Sequence, residues 1–344
     1  MIIDFRSDTV TKPSPQMLDA MLKADVGDDV FREDPTVNRL EKKMAALFNM
    51  ESALWCASGT MSNQIAIASH TRPGDEVICE HESHVYFYEG GGIAFNSGCQ
   101  SRPLVGDRGR INAQQVLAAI NPDDVHKSHS SLVCVENTSN RGGGSCYEIG
   151  EIEKIRKICD EHQLKFHLDG ARLYNALVAK NETPSDYGNL FHSISVCFNK
   201  GLGCPAGSIL LGNEAFIKRA IRVRKVFGGG MRQAGFLAAT ALYAMEHHVE
   251  RLATDHHHAK MIGEALQKHP MVKKVLPVET NLIIFELSEG IDPKKFIAAM
   301  KQKDILLLTI SSNRLRIVTH LDISRDMVDQ FLRTLETFAE SSKL

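Results

Sequence analysis

Two spacings of apolar residues alternate along most of this chain. One is helical: Leu40, Met44, Leu47 and Phe48 recur at three- and four-residue intervals within 37–48, as do Ile152, Ile155, Ile158 and Cys159 within 149–162. The other is a short apolar run that stops at polar or glycine-bearing residues. Such runs lie at 77–79, at 131–135 before Glu136-Asn137-Thr138, at 164–168 before Asp169-Gly170, at 194–198 before Asn199-Lys200, and at 207–211. Short runs without alternation read as strands buried on both faces. Further helices are expected over 16–23, opened by Pro13-Ser14-Pro15, over 61–68 after Ser58-Gly59, and over 112–120 with Asn112 as a cap. A long stretch rich in Ala, Leu, Met and His, 232–268, reads as continuous helix, with no proline before Pro270. This rhythm predicts an α/β fold with a mostly parallel sheet covered by helices, and functional groups at the carboxyl ends of its strands. The rhythm then changes: 281–286, 292–301, 306–310, 314–318 and a helix over 325–341 read as a small α/β unit. The expected organisation is an N-terminal segment, 1–30, a large domain, 31–250, and a small C-terminal domain, 251–344.

Composition narrows the function classes. With 344 residues, 43% hydrophobic and 24% charged, the chain is ordinary globular protein. The formal net charge of -2 and the lack of a basic stripe argue against a nucleic-acid partner. No apolar run approaches the roughly 18 residues of a membrane span. Residues 1–6 mix acid and base and lack the basic and apolar regions of a signal peptide. The eight cysteines form no CxxC pair, which reads as buried thiols in a reducing compartment, and so as a cytoplasmic protein. His247, His248 and His256 to His258 point to no metal, because neighbours on a helix diverge.

The strand ends carry the candidate chemistry. Asp169 and Lys200 each follow a short apolar strand. Either alone is unremarkable, an acid that caps a helix or a solvated lysine. Together they place a carboxylate and an amine on one edge of a sheet, which is what pyridoxal 5'-phosphate requires: a Schiff-base lysine and an acid that keeps the pyridine nitrogen protonated. Ser58, Gly59 and Thr60, at a helix start, offer hydroxyls and free amides to its phosphate. Gly228-Gly229-Gly230-Met231-Arg232 permits close backbone approach and adds charge, and Arg222, Arg224 and Lys225 read as a short anion-binding cluster. His84 is placed to stack on the ring or move a proton, and His126 to approach the same site. Arg172, three residues after Asp169, is expected near the pyridine end of the cofactor and among its contacts, while Arg316, in a strand-like run, suits a bidentate grip on a carboxylate, as an amino-acid substrate would present.

Several segments resemble the low-specificity L-threonine aldolase family. They include Phe5-Arg6-Ser7-Asp8-Thr9-Val10-Thr11-Lys12-Pro13, Ala57-Ser58-Gly59-Thr60, Glu136-Asn137-Thr138, Leu168-Asp169-Gly170-Ala171-Arg172, Asn199-Lys200-Gly201-Leu202-Gly203 and Leu315-Arg316-Ile317-Val318-Thr319-His320. The resemblance implies the aspartate-aminotransferase-like three-layer fold and cleavage of L-threonine, L-allo-threonine or related 3-hydroxy amino acids to glycine and an aldehyde. It implies that Lys200 and Asp169 hold pyridoxal phosphate, and that Ser58, Gly59 and Thr60 bind its phosphate with Arg232 and Lys225. Ser7, Arg172 and Arg316 would hold the substrate carboxylate, with Phe31 near the entrance. His84 would stack on the cofactor, and His126 would lie near the substrate hydroxyl. A homo-oligomer is implied, a dimer at minimum and a tetramer by family habit. Three departures stand out. Phe31-Arg32 replaces the family's usual Tyr-Gly, Ser139 stands where histidine is common, and Asn199 stands where serine often precedes the lysine. β-Elimination by the same fold, giving a keto acid and ammonia, is the alternative reaction. A non-catalytic scaffold is the alternative class, and the intact lysine, acid and arginine set argues against it.

Overall fold

A computed structural model describes residues 2–341. Met1 and residues 342–344, which begin and close the expected end units, lie outside the described residues. The strands, in chain order, are β1 (Ile3–Asp4), β2 (Ser52–Cys56), β3 (Glu76–Glu80), β4 (Gln100–Leu104), β5 (Ser130–Glu136), β6 (Lys165–Gly170), β7 (Ser193–Cys197), β8 (Ser208–Gly212), β9 (Val272–Val275), β10 (Leu282–Leu287), β11 (Ile305–Leu306), β12 (Leu308–Thr309) and β13 (Arg314–Val318). Strands β2 to β8 form one seven-stranded sheet in the order β2-β8-β7-β6-β5-β3-β4. β8 runs antiparallel to both its neighbours, β2 and β7, while the other pairs in the sheet are parallel. Six strands therefore share one direction, and their carboxyl ends define one edge.

The apolar runs are strands for the reason expected. Every residue of β3, β5, β7 and β8 is buried, so neither face of these strands alternates. Helices Gly59–His70 and Glu214–Val226 pack against each other at the β2–β8 side of the sheet, and helix Ile149–Glu161 buries Ile152, Ile155 and Cys159. The long helical stretch is not continuous. It divides into Gly235–His247 and Leu252–Lys268. The second helix buries Ala259, Ile262 and Leu266 in a separate apolar core with β10, β13 and the helix Arg325–Ser341. The stretch 306–310 of the expected small α/β unit falls across two short strands, β11 and β12, in different sheets.

The N-terminal stretch is shared out rather than being a unit of its own. β1 pairs in parallel with β11, and Ile3 and Phe5 are fully buried in the C-terminal core. The helix Pro15–Leu22 packs instead on Gly235–His247 of the large unit. Residues 6–12 therefore cross between the two units, directly above the sheet edge that carries the site.

Candidate active site

The carboxyl ends of the parallel strands deliver the polar groups. After β2 come Ser58 to Thr60, after β3 His84 and Glu89, at the end of β5 Glu136 and then Asn140, at the end of β6 Asp169 and then Arg172, and after β7 Lys200. Across from them, β13 supplies Arg316 and the N-terminal crossing supplies Ser7 and Asp8. Between the two units lies a cavity of about 380 Å³ whose walls include Ser7, His84, Glu136, Arg172, Lys200 and Arg316.

Asp169 is buried and held from two sides. Its Oδ1 accepts from the Ala171 amide at 3.0 Å, and its Oδ2 accepts from Asn63 Nδ2 at 2.8 Å. Lys200 is half-buried and leaves the neighbouring strand. Glu136 is buried beside them. Its carboxylate accepts from the amides of His84 and Asn140, both at 3.0 Å. Burial, reinforced by the Asp169 charge, pushes its pKa up to about 7. His84 Nδ1 lies 2.8 Å from Glu89 Oε1. Burial by itself would lower the His84 pKa, but the Glu89 hydrogen bond and the Asp169 and Glu89 charges outweigh it and raise the pKa.

The arginines differ in what they have left to offer. Arg172 is bound bidentately by Asp8, at 2.7 Å from Nε and 2.6 Å from Nη2. Although burial opposes ionisation, the Arg172 guanidinium holds the Asp8 carboxyl well below the usual carboxylate range. Arg316 donates from Nη1 to Asn140 Oδ1 at 2.8 Å and from Nη2 to the Arg6 carbonyl at 2.9 Å. Its Nε is buried without a partner. Burial, with the Arg172 charge nearby, brings the Arg316 pKa down to about 10. Arg316 is thus a cation on the cavity wall whose hydrogen bonds to Asn140 and the Arg6 carbonyl leave other guanidinium N–H groups unengaged.

At the same carboxyl end of Lys200's strand, β7, lies the start of the helix Gly59–His70. Ser58 caps it through Met61 N at 3.2 Å, which leaves the Gly59 and Thr60 amides without intrahelical acceptors. A Cβ at Gly59 would stand 2.4 Å from Cys197 Sγ, so only glycine lets the helix start close against the end of β7. Gly229 packs against Met61 in the same way, which brings the glycine-rich stretch beside this helix start. Lys225 borders Gly230 there.

Not every expected residue is brought in. His126 stands before β5, at the amino end of that strand, where it is exposed and bound to Asp124 Oδ1 at 2.8 Å. Within one chain it is therefore at the opposite edge from Lys200. Phe31 is exposed and lies under the Arg232 guanidinium at 5.9 Å, and Arg232 is paired with Asp28 at 2.9 Å. Neither lines the cavity. Arg224 is no anion site: it is buried against Asp29 at 2.8 Å and donates to the Trp55 carbonyl at 2.7 Å. The sequence reading gave no role to Asp8, Asn63, Glu89 or Asn140. Asp8 lay inside a quoted motif, but Asn63 and Glu89 sit in helix and turn sequence with no distinguishing pattern.

A doubly wound α/β sheet with an acid and a lysine on adjacent strand ends, facing an arginine-lined cavity, defines an amino-acid lyase of the aspartate-aminotransferase-like fold. The sequence model of the beta-eliminating lyase family matches residues 4–289. A low specificity L-threonine aldolase of Escherichia coli (strain K12) is 39% identical over 95% of this chain and 96% of its own length. Low-specificity L-threonine aldolase 1 of Arabidopsis thaliana is 37% identical over 99% of this chain and 98% of its own. A solved structure of Leishmania major threonine aldolase superposes with a TM-score of 0.85 at 21% identity, covering 98% of this chain and 99% of that one, which bears on the fold. The chain belongs to the beta-eliminating lyase family, and within it to the low-specificity L-threonine aldolases.

Proposed function

We propose that the protein cleaves L-threonine, L-allo-threonine or a related 3-hydroxy amino acid to glycine and an aldehyde, with pyridoxal phosphate as cofactor. The observation that carries this reading is the placement of Asp169 and Lys200 at neighbouring strand ends beside a cavity lined by arginines. The residues present fit that cofactor. Asp169 is fixed by Asn63 and Ala171 as a carboxylate that can hold a ring nitrogen protonated. Lys200 would hold its aldehyde carbon. The helix start at Gly59 and Thr60, with Lys225 nearby, would hold its phosphate. When bound, the cofactor supplies an electron sink for the pair released as a bond to Cα breaks.

The chain's own residues do the rest. Arg316, on the cavity wall, would bind the substrate carboxylate through the guanidinium protons that its bonds to Asn140 and the Arg6 carbonyl leave free, while those bonds hold the group in place. Arg172, neutralised by Asp8, shapes the same wall, and Ser7 adds a hydroxyl. With the cofactor bound, this grip would set which bond at Cα is aligned for cleavage. His84, a histidine on the cavity wall, is placed to accept the β-hydroxyl proton, and Glu136, with its raised pKa, is a second site where a proton can be held at neutral pH. The structure gives no role in this to His126 of the same chain. Eight buried free cysteines fit a reducing, cytoplasmic setting, and among the described residues no helix is long and apolar enough to cross a membrane. Exposed Phe31, Val226 and Phe236, around the glycine-rich stretch, support a dimer as the minimal active unit, and a tetramer accords with the family.

The family description favours one other reading, β-elimination to a keto acid and ammonia. Incubation of the cofactor-loaded enzyme with L-threonine and L-allo-threonine separates the two. Equal amounts of glycine and acetaldehyde are expected. Keto acid and ammonia without glycine would overturn aldol cleavage.

A further inference from the structure

The least explained part of the site lies behind His84. Glu89 is buried, yet its carboxylate is fully engaged. Oε1 lies 2.8 Å from His84 Nδ1 and accepts from Asn63 Nδ2 at 2.9 Å. Oε2 accepts from Gln64 Nε2 at 2.6 Å, and Gln64 Oε1 in turn accepts from Asn96 at 3.1 Å. The packing around this set is closed, since a Cβ at Gly92 would stand 2.5 Å from Gln64 Oε1.

Asn63 has one possible orientation. Its Oδ1 faces Ser195 Oγ at 2.6 Å and His167 Nε2 at 3.2 Å. Its Nδ2 faces two carboxylates, Glu89 and Asp169, and carboxylates can only accept. One amide therefore spans the two acids. The same rule fixes His84. An acceptor-only carboxylate at Nδ1 places the proton of the neutral ring on Nδ1 and leaves the lone pair on Nε2. Among the described residues Nε2 has no hydrogen-bond partner, and His84 lines the cavity.

We propose that Glu89 and Asn63 are positioning residues for His84: Glu89 fixes the ring as the tautomer whose Nε2 can accept a proton from a ligand in the cavity, and Asn63 ties that pair rigidly to Asp169. The proposal rests on the reaction proposed above only for the identity of the proton. There, Nε2 takes the β-hydroxyl proton as the C–O bond becomes a carbonyl. The pair leaving the Cα–Cβ bond goes to the bound cofactor. The charged and titratable groups facing His84 are Glu89 and Tyr88 from its own segment, Glu136 from β5, Asp169 from β6 and Lys200 after β7. The helix bearing Asn63 and Gln64 and the helix bearing Asn96 face it with amides alone. Of the anions, Glu89 is the one bonded to the ring.

The test reads His84 itself. Protein labelled with 15N-histidine is titrated by NMR, with and without cofactor, and the His84 signals are assigned by their loss in His84→Asn. Wild type is expected to show the Nδ1–H tautomer. In Glu89→Gln, the tautomers should mix and the ring should lose its proton at lower pH, because burial then acts without the opposing charge. Glu89→Asp should restore the wild-type tautomer in part, which separates loss of the carboxylate from misfolding. In turnover, the acidic limb of the kcat profile should move to lower pH in Glu89→Gln while KM is held, and no such shift should occur on a His84→Asn background. An unmoved tautomer and titration in Glu89→Gln would overturn this inference. Absence of glycine from wild type would overturn the reaction instead, and the titration distinguishes the two.

Discussion

At the scale of single residues, Arg32 shows how a charge near the expected entrance can have nothing to do with substrate. Its backbone is left-handed, φ 62°, where the family usually has glycine. Its guanidinium turns away to pair with Glu41 Oε2 at 2.8 Å. The partner is Glu41, on the helix Pro35–Leu47, and neither of the adjacent acids Glu33 and Asp34. The Glu41 carboxylate is buried, with Oε1 accepting from the Trp55 amide at 2.9 Å. Burial raises its pKa, and the Arg32 charge counters that. Arg32→Gly would gain up to ~1 kcal/mol from relieved backbone strain. It would lose the partner of a buried carboxylate, at a cost reduced by the half-exposed arginine to about 2 kcal/mol. A net loss of ~1 kcal/mol near neutrality is expected from these opposing terms. The sign with pH follows from a raised folded pKa on an acid. The penalty exists where Glu41 is ionised in the unfolded chain, and it disappears as pH falls and both states hold the proton. Urea unfolding of variant and wild type should therefore show a gap near neutrality that closes in mild acid. The ratio of kcat/KM for threonine and 3-hydroxyaspartate should be unchanged.

At the scale of elements, the strands were legible because burial on both faces leaves a continuous apolar run, and the residue that ends the run is the one delivered to the site. Asp169 and Lys200 were readable for that reason. The break between Gly235–His247 and Leu252–Lys268 was not, since no proline or glycine marks it and the second helix turns to follow a different core. Asn63 and Glu89 were illegible because their roles depend on which strands the helix start and the turn pack against. His126 lies away from Lys200 within one chain because proximity in sequence to β5 says nothing about which end of the strand a residue occupies. The helix start at Gly59 offers a test of this level. Its Cβ position is filled by Cys197 Sγ at 2.4 Å, so Gly59→Ala must push the helix start away from β7. Affinity for pyridoxal phosphate, followed by titration of the apoenzyme, should fall at least about tenfold, or ~1.4 kcal/mol. Cys197→Ala added to Gly59→Ala should recover part of the loss. A single variant that binds as tightly as wild type would show that the helix start does not hold the phosphate.

At the scale of the whole molecule, the site exists because two cores meet. One edge of the seven-stranded sheet supplies Lys200, Asp169, His84 and Glu136. The second unit supplies Arg316, and the N-terminal crossing supplies Ser7 and Asp8, anchored by β1 pairing with β11. An N-terminal segment read as a separate piece hides this, because its apolar residues are too few to announce which core they join. Arg141 fastens the two units at the cavity, donating to Glu82 at 3.1 Å and to the Ile310 carbonyl at 2.8 Å. The proposed function makes the Lys200 Nζ the point of cofactor attachment. Reduction of the yellow holoenzyme with borohydride, followed by proteolysis and mass mapping, tests that assignment directly. The account predicts a single pyridoxyl-phosphate adduct on Lys200. An adduct on any other lysine, Lys225 included, would contradict it.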